Sequence, residues 1–220
     1  MNKELLIEGI KKLGMETTEE QIERFSKYSE LLKEWNNKIN LTAITDDDGI
    51  SVKHFLDSIL PLAHIEIKTG ANIADVGTGA GFPGLPIKII RDDINLTLID
   101  SLNKRINFLT LVSNELNLSN TVCVHGRAED LSRKPEYREK FDYVISRAVA
   151  NMTALSEYCL PYIEPGGMFI ARKAEGAEQE VDSARAMICN LGGRIDKIIK
   201  APLPNSDIVR SLIVIKKVKP

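Results

Sequence analysis

The chain has 220 residues, 43% of them hydrophobic and 27% charged, with a formal net charge of −2. That length and balance describe one large globular domain, or one domain with an appendage, whose core needs no disulfide or metal. A slightly negative chain excludes a protein that coats nucleic acid through general basicity, while leaving room for an RNA enzyme with a local basic face.

The N-terminus carries Glu4 where a signal peptide would have a basic start, and no apolar run approaches a membrane span. A cytoplasmic protein is the expectation. Residues 3–13 read as a short amphipathic helix stopped near Gly14. Thr17 and Glu20 have capping-box spacing for a long helix to about Lys38. Its stripe of Ile22, Phe25, Leu32, Trp35 and Ile39 faces a core, and Trp35 belongs to that core rather than to a base-stacking platform. Asn40 to Ile44 turn into a break at Asp46-Asp47-Asp48-Gly49. A further helix runs from Ser51 to Leu60 and ends at Pro61. It puts His54, Asp57 and Ser58 on one face. A hydrolytic triad needs its members oriented from separate elements, so this face instead docks the N-terminal helices near a ligand, or touches substrate. None of His54, His64 and His125 has metal-ligand spacing.

Near residue 70 an all-helical start gives way to alternating strands and helices, dividing the chain into a helical cap, residues 1–68, and an α/β body, residues 69–220, packed as one unit. Strand candidates are 72–76, 95–100, 121–125, 141–146 and 167–172. Leu102, Ile106, Leu109, Val112 and Leu116 mark the clearest helix between them. This rhythm predicts a parallel sheet with helices on both faces. Cys123 and Cys159 fall inside apolar patterns, and with Cys189 they form no C-x-x-C. Buried, reduced thiols are expected.

Residues 71–86 organise the body. A buried strand, Ile73 to Val76, runs into Gly77, Gly79 and Gly81 and then a helix opening at Pro83. Alternating glycines leave the backbone unshielded, and free amides at the helix start predict a site for a polar or anionic group. Gly79 to Gly84 fit the dinucleotide fingerprint, and Asp75 to Gly81 fit the loop that holds S-adenosylmethionine. Asp100 ends the run Leu96 to Ile99, where an acid takes ribose hydroxyls of either cofactor. The C-terminus separates the two. Runs 194–200 and 209–217 are joined by about eight non-helical residues, too few for a parallel crossover. They predict an antiparallel hairpin closing a seven-stranded sheet, the Rossmann-like pattern of class I S-adenosylmethionine methyltransferases. A dinucleotide fold would continue in parallel.

Asn40 to Ala43, His54 to Ser58, Asp75 to Gly84, Asp100 to Arg105, Gly126 to Glu129, Ser146 to Ala148 and Ala171 to Lys173 together resemble the bacterial RsmG (GidB) family. The match spans about residues 40–175 in order, without departure at these positions. The N-terminal helices and final strands match only loosely. The resemblance implies transfer of a methyl group from S-adenosylmethionine to ring nitrogen 7 of a guanosine in 16S rRNA. Carried onto this chain, it implies that Gly77, Gly79 and Phe82 contact the cofactor, Asp100 takes its ribose, Ala128 and Glu129 flank its adenine, and Arg147 closes the site toward substrate.

The residues suit that chemistry. Ring nitrogen 7 has an in-plane lone pair and no proton, so alignment is the enzyme's main task. The place after the fourth strand reads Ser146-Arg147-Ala148-Val149, not the Asn/Asp-Pro-Pro-aromatic of amine methylation. No cysteine sits where a pyrimidine-activating nucleophile would. Lys104, Arg105, Arg127, Arg172 and Lys173 fall near the carboxyl edge of the predicted sheet, with Lys33, Lys38 and Lys53 on the cap; of these, Lys104, Arg105, Arg172 and Lys173 are the candidate RNA contacts. With a negative net charge, a ribosomal particle offering shape as well as phosphate is the expected partner. Three rivals stand beside this reading. They are an assembly protein with a vestigial cofactor site, a methyltransferase for small molecules or proteins, and a nicotinamide oxidoreductase.

Overall fold

The chain starts with helices α1 (Lys3–Lys12) and α2 (Glu19–Ile39). The capping box of α2 lies one residue later than the spacing of Thr17 and Glu20 suggests. Thr18 Oγ1 accepts from Gln21 N at 3.2 Å, and Gln21 Oε1 accepts from Thr18 N at 3.0 Å. Gln21 prevails because its amide nitrogen also donates to the carbonyls of Ile89 and Ile90, pinning the start of α2 to the body. The third helical segment is composite. A turn, α3 (Asp47–Gly49), widens into a π-helical stretch (Ile50–Leu56), returns to α4 (Asp57–Ile59) and tightens into a 3₁₀ turn (Leu60–Ala63). It starts four residues before the expected Ser51, because the Asp46 side chain caps Gly49 N at 2.6 Å.

The body follows as β1 (Asn72–Val76), α5 (Gly84–Ile90), β2 (Asn95–Asp100), α6 (Asn103–Glu115), β3 (Thr121–His125), α7 (Ala128–Leu131), β4 (Phe141–Arg147), α8 (Met152–Cys159), β5 (Ile163–Ala174), α9 (Glu178–Asn190), β6 (Gly193–Pro202) and β7 (Val209–Lys217). This computed structural model describes residues 1–147 and 150–220; Ala148 and Val149, read above as part of the segment after the fourth strand, lie outside the described residues. The seven strands are ordered β3-β2-β1-β4-β5-β7-β6. Neighbours among β1 to β5 are parallel, while β7 runs antiparallel to both β5 and β6. The expected closing hairpin is therefore present.

Both sheet faces are covered, so central strands are apolar at nearly every position. Ile73, Tyr143, Ile145, Leu212 and Val214 point to one face, where they join Phe25, Tyr28, Leu32 and Phe55 of the cap in a continuous core. Ala74, Val144, Ile213 and Ile215 point to the other, against Leu155, Val181 and Ile188 of α8 and α9. Trp35 packs on Phe108 at 5.7 Å between ring centroids, a core role as expected. Cys123, Cys159 and Cys189 are free, but the expected burial holds in full only for Cys159: Cys123 is half-buried on the edge strand β3 and Cys189 is exposed near the end of α9. Among the described residues, no helix is long and apolar enough to cross a membrane.

Candidate active site

The carboxyl ends of β1, β2 and β4 open onto a cleft of about 640 Å³. Pairing of β1 with β2 brings Val76 beside Ile99. Beyond β1 the chain stays pinned to β2, since the Ile99 carbonyl accepts from Gly77 N at 2.9 Å and Thr78 N at 3.1 Å. This delivers Gly79 N to within 2.9 Å of Asp100 Oδ2. Asp100 also accepts from Leu102 N at 2.9 Å and from Arg105 Nη1 at 3.2 Å. One carboxylate thus fixes the glycine loop, the start of α6 and an arginine.

Gly79 has φ +63°, and a Cβ built there would meet nothing within 4 Å. The positive φ and the open face both favour glycine and leave backbone accessible from the cleft. Gly81 is different: its Cβ would lie 2.6 Å from Tyr28 Oη and 2.5 Å from Leu85 Cδ1.

The expectation of free amides at the helix start is corrected. Gly84 N donates to Asp75 Oδ2 at 2.7 Å, Leu85 N to the Gly81 carbonyl at 2.8 Å, and Gly81 N and Phe82 N both to the Thr78 carbonyl at 3.0 Å. The helix itself begins at Gly84 rather than Pro83. Buried Asp75 occupies the place an anionic ligand group was expected to fill. Its Oδ2 also accepts from Thr78 Oγ1 at 2.7 Å, while Oδ1 is buried with no hydrogen-bond partner among the described residues. Desolvation pushes its pKa up to about 7, against the opposing hydrogen bonds from Thr78 and Gly84.

All seven candidate cofactor residues, Gly77, Gly79, Phe82, Asp100, Ala128, Glu129 and Arg147, line this cleft. The cap contributes too, through Leu41, Thr42 and His54, and α8 adds Tyr158. His54 lies flat on Phe82, 4.4 Å between centroids and 7° from parallel, and the Arg147 guanidinium sits 4.8 Å from the centre of the same ring. The hydrogen bonds around His54 assign its state. Arg147 Nη2 lies 3.2 Å from Nδ1, and a guanidinium can only donate, so Nδ1 accepts. The proton is then on Nε2, 2.8 Å from Thr42 Oγ1. Burial first, then the charges of Arg147 and Arg172, lower the His54 pKa to about 3. The imidazole is neutral.

Beneath it lies Asp57, whose side chain is fully buried and meets three arginines. Arg147 Nη1 is 3.4 Å and Arg172 Nη2 2.9 Å from Oδ2, and Arg210 Nε is 2.8 Å from Oδ1. Sheet register explains the convergence: Arg147 pairs with Arg172 across β4 and β5, and Ala174 pairs with Arg210 across β5 and β7. Three neighbouring strands each place an arginine at the carboxyl edge, and the cap supplies the counter-charge. The polar face of the third helix therefore docks the cap, as expected. Ser58 takes no catalytic position, since its Oγ donates to the His54 carbonyl at 2.5 Å.

The candidate RNA contacts separate into two groups. Lys104 is exposed, and Arg105 is half-buried at the cleft mouth. Arg172 is buried against Asp57, and desolvation lowers its pKa to about 10. Lys173 Nζ is held by the Ala150 carbonyl at 2.7 Å and Glu180 at 2.8 Å. Both face inward partners, so they leave the RNA-facing set. Among the other basic residues, Lys53 and Arg127 are exposed, Lys33 pairs with Asp47 and Lys38 pairs with Glu34. Sequence reasoning missed Tyr28 and Arg210. Tyr28 stands within the hydrophobic stripe of α2, between Phe25 and Leu32. Arg210 gives no local signal.

Residues 21–204 match the model of the GidB family, described as rRNA small subunit methyltransferase G. The chain is 51% identical to "Ribosomal RNA small subunit methyltransferase G" of Clostridium kluyveri, covering 94% of this chain and 87% of that protein. It is 49% identical to the protein of the same name from Lachnoclostridium phytofermentans, covering 97% and 88%. Among solved structures, a SAM dependent methyltransferase from Aquifex aeolicus superposes with a TM-score of 0.59 at 16% identity, covering 88% of this chain and 98% of that one. M. jannaschii TYW2 in complex with AdoMet superposes with a TM-score of 0.58 at 14% identity, covering 80% of each. These two likenesses concern the fold.

Proposed function

Since the chain belongs to the GidB family of small-subunit rRNA methyltransferases, we propose that its cleft binds S-adenosylmethionine and methylates ring nitrogen 7 of a guanosine in 16S rRNA. The observation that carries this reading is the pairing of Asp100 with the open Gly79 backbone across one cleft edge.

The residues fit such a ligand. A volume of about 640 Å³ lies within the usual range for small-molecule sites. Asp100, steadied by Gly79 N, Leu102 N and Arg105, accepts from the ribose hydroxyls. Gly77 and Gly79 admit the amino-acid end, Phe82 supplies an apolar wall, and Ala128 and Glu129 flank the adenine. When bound, the cofactor supplies an electrophilic methyl on a sulfonium whose departing thioether is neutral. No acid is needed to assist departure, and the guanine nitrogen needs no base. Arg147 stacks on Phe82 and closes the cleft on the substrate side. Its position and the site's geometry provide alignment, which contributes up to about 7–11 kcal/mol when reactants are held in attack geometry.

Arg105 and Arg127 line the cleft, and with the exposed Lys53 and Lys104 they offer positive charge to the RNA backbone. With a chain net charge of −2, shape recognition of a small-subunit particle adds to this local attraction, and the enzyme acts in the cytoplasm where such particles assemble. Mass-spectrometric mapping of 16S rRNA, from cells with and without the chain, tests the assignment. One 7-methylguanosine should vanish with the chain. An unchanged nucleoside map would sink it.

A further inference from the structure

We propose that Tyr28, on the second helix of the cap, is a positioning residue for the cofactor loop, which makes the cap an integral part of the S-adenosylmethionine site. This rests on the cofactor assignment above and extends it to a residue outside the cleft.

Tyr28 is fully buried, and its hydroxyl donates to the Ala80 carbonyl at 2.5 Å. Ala80 lies between Gly79 and Gly81 and lines the cleft. The loop satisfies other groups from within: the Thr78 carbonyl takes Gly81 N and Phe82 N, and Gly79 N goes to Asp100. For the Ala80 carbonyl, the partner comes from 52 residues upstream. Ala80 itself is only 4% exposed, so removing the hydroxyl leaves a carbonyl with little access to water.

The same side chain sets the room available at the next residue. Gly81 has φ +100°, and the space where its Cβ would stand is bounded by Tyr28 Oη at 2.6 Å. The Tyr28 ring also stacks on Phe82, 5.4 Å between centroids and 24° from parallel. Three consecutive loop residues, Ala80, Gly81 and Phe82, are thus located by one cap side chain. Burial raises the Tyr28 pKa well above its ordinary value, so the phenol keeps its proton and remains a donor.

A residue acting this way should affect cofactor affinity more than the chemical step. Tyr28→Phe retains the ring and its stacking but removes the donor. Isothermal titration of S-adenosylhomocysteine into the full chain should show about tenfold weaker binding, the scale of one lost hydrogen bond to a buried carbonyl. In methyl transfer to small-subunit particles, KM for S-adenosylmethionine should rise by a similar factor while kcat stays within about twofold. Leu6→Ala in α1 is the control for general loosening of the cap. It should lower Tm at least as much while leaving the affinity near wild type. Equal affinities for Tyr28→Phe and wild type would overturn the proposal, as would an equal loss in Leu6→Ala. A wild-type chain that fails to bind S-adenosylhomocysteine would instead overturn the cofactor assignment itself.

Discussion

Arg147 Nη2 donates to His54 Nδ1 across 3.2 Å, so a cation on the fourth strand and an imidazole on the cap are bound only while the imidazole is neutral. Protonating His54 would set two donors face to face, beside a third cation on Arg172.

The pH dependence follows from that relationship. His54 titrates near 6.5 when unfolded and at about 3 when folded. Between those values the unfolded chain binds more protons, so stability is fully present above pH 6.5 and declines on acidification. At pH 5 the loss from this residue is about 2 kcal/mol. His54→Gln should lack that slope. Urea unfolding at pH 7.5 and pH 5 measures it, and parallel losses in both proteins would contradict the assignment.

Asp75 gives the opposite sign. Its folded pKa of about 7 exceeds the unfolded value of 3.8, so the folded chain binds more protons between the two. Its contribution to stability falls as pH rises from about 4 to 7 and is flat above that. The difference reaches roughly 4 kcal/mol. Asp75→Asn should therefore gain on wild type as pH is raised through this window, in the same urea experiment.

Asp57→Asn would leave three guanidiniums around a neutral amide. Removing one partner of a buried ion cluster typically destabilises by about 3–5 kcal/mol. The midpoint of urea unfolding should drop accordingly, and Arg172→Ala should also destabilise. A change below about 1 kcal/mol for Asp57→Asn would show that the cluster is already solvated.

Gly79→Ala places a methyl in open space, so the body should still fold, with a loss of roughly 1 kcal/mol for the left-handed backbone. The methyl enters the cleft, however, and S-adenosylhomocysteine affinity should fall at least about tenfold by calorimetry, the order of one mispositioned contact. Retained affinity would remove this loop from the cofactor site.

Lys53→Ala combined with Lys104→Ala should weaken binding to small-subunit particles and reduce its salt dependence, leaving cofactor affinity unchanged. Lys173→Ala should leave particle binding at the wild-type level, because its ammonium is engaged by Ala150 and Glu180. Filter binding at several salt concentrations distinguishes the two. The reverse ranking would restore Lys173 to the RNA face.

Local pattern made much of the molecule legible. The first three strands begin and end at the residues their apolar runs indicate; β1 and β2 are constrained by cover on both faces, while β3 is an edge strand with Val122 exposed. The short link between residues 200 and 209 revealed the antiparallel hairpin through chain length alone. Asp100 was visible as the acid ending an apolar strand. Hydrogen-bond ownership was harder to read. The glycine loop looked rich in free amides because the Ile99 carbonyl and Asp100, which take Gly77, Thr78 and Gly79, come beside it only after β1 and β2 pair. Arg172 looked like an edge charge because its partner lies 115 residues earlier on the cap. Tyr28 was hidden inside a hydrophobic stripe, where spacing marks a residue as buried but does not reveal where its hydroxyl points.

The Asp57–Arg210 ion pair spans 153 positions of sequence, and the cap is also clasped by the loop before β7, where Asn205 donates to the Leu5 carbonyl and accepts from Lys12. The cap helices therefore complete their contacts only against a strand far along the chain. A chain still lacking β7 leaves Asp57 without Arg210, so the ion cluster that holds Arg147 at the cleft is complete only once β7 has paired with β5.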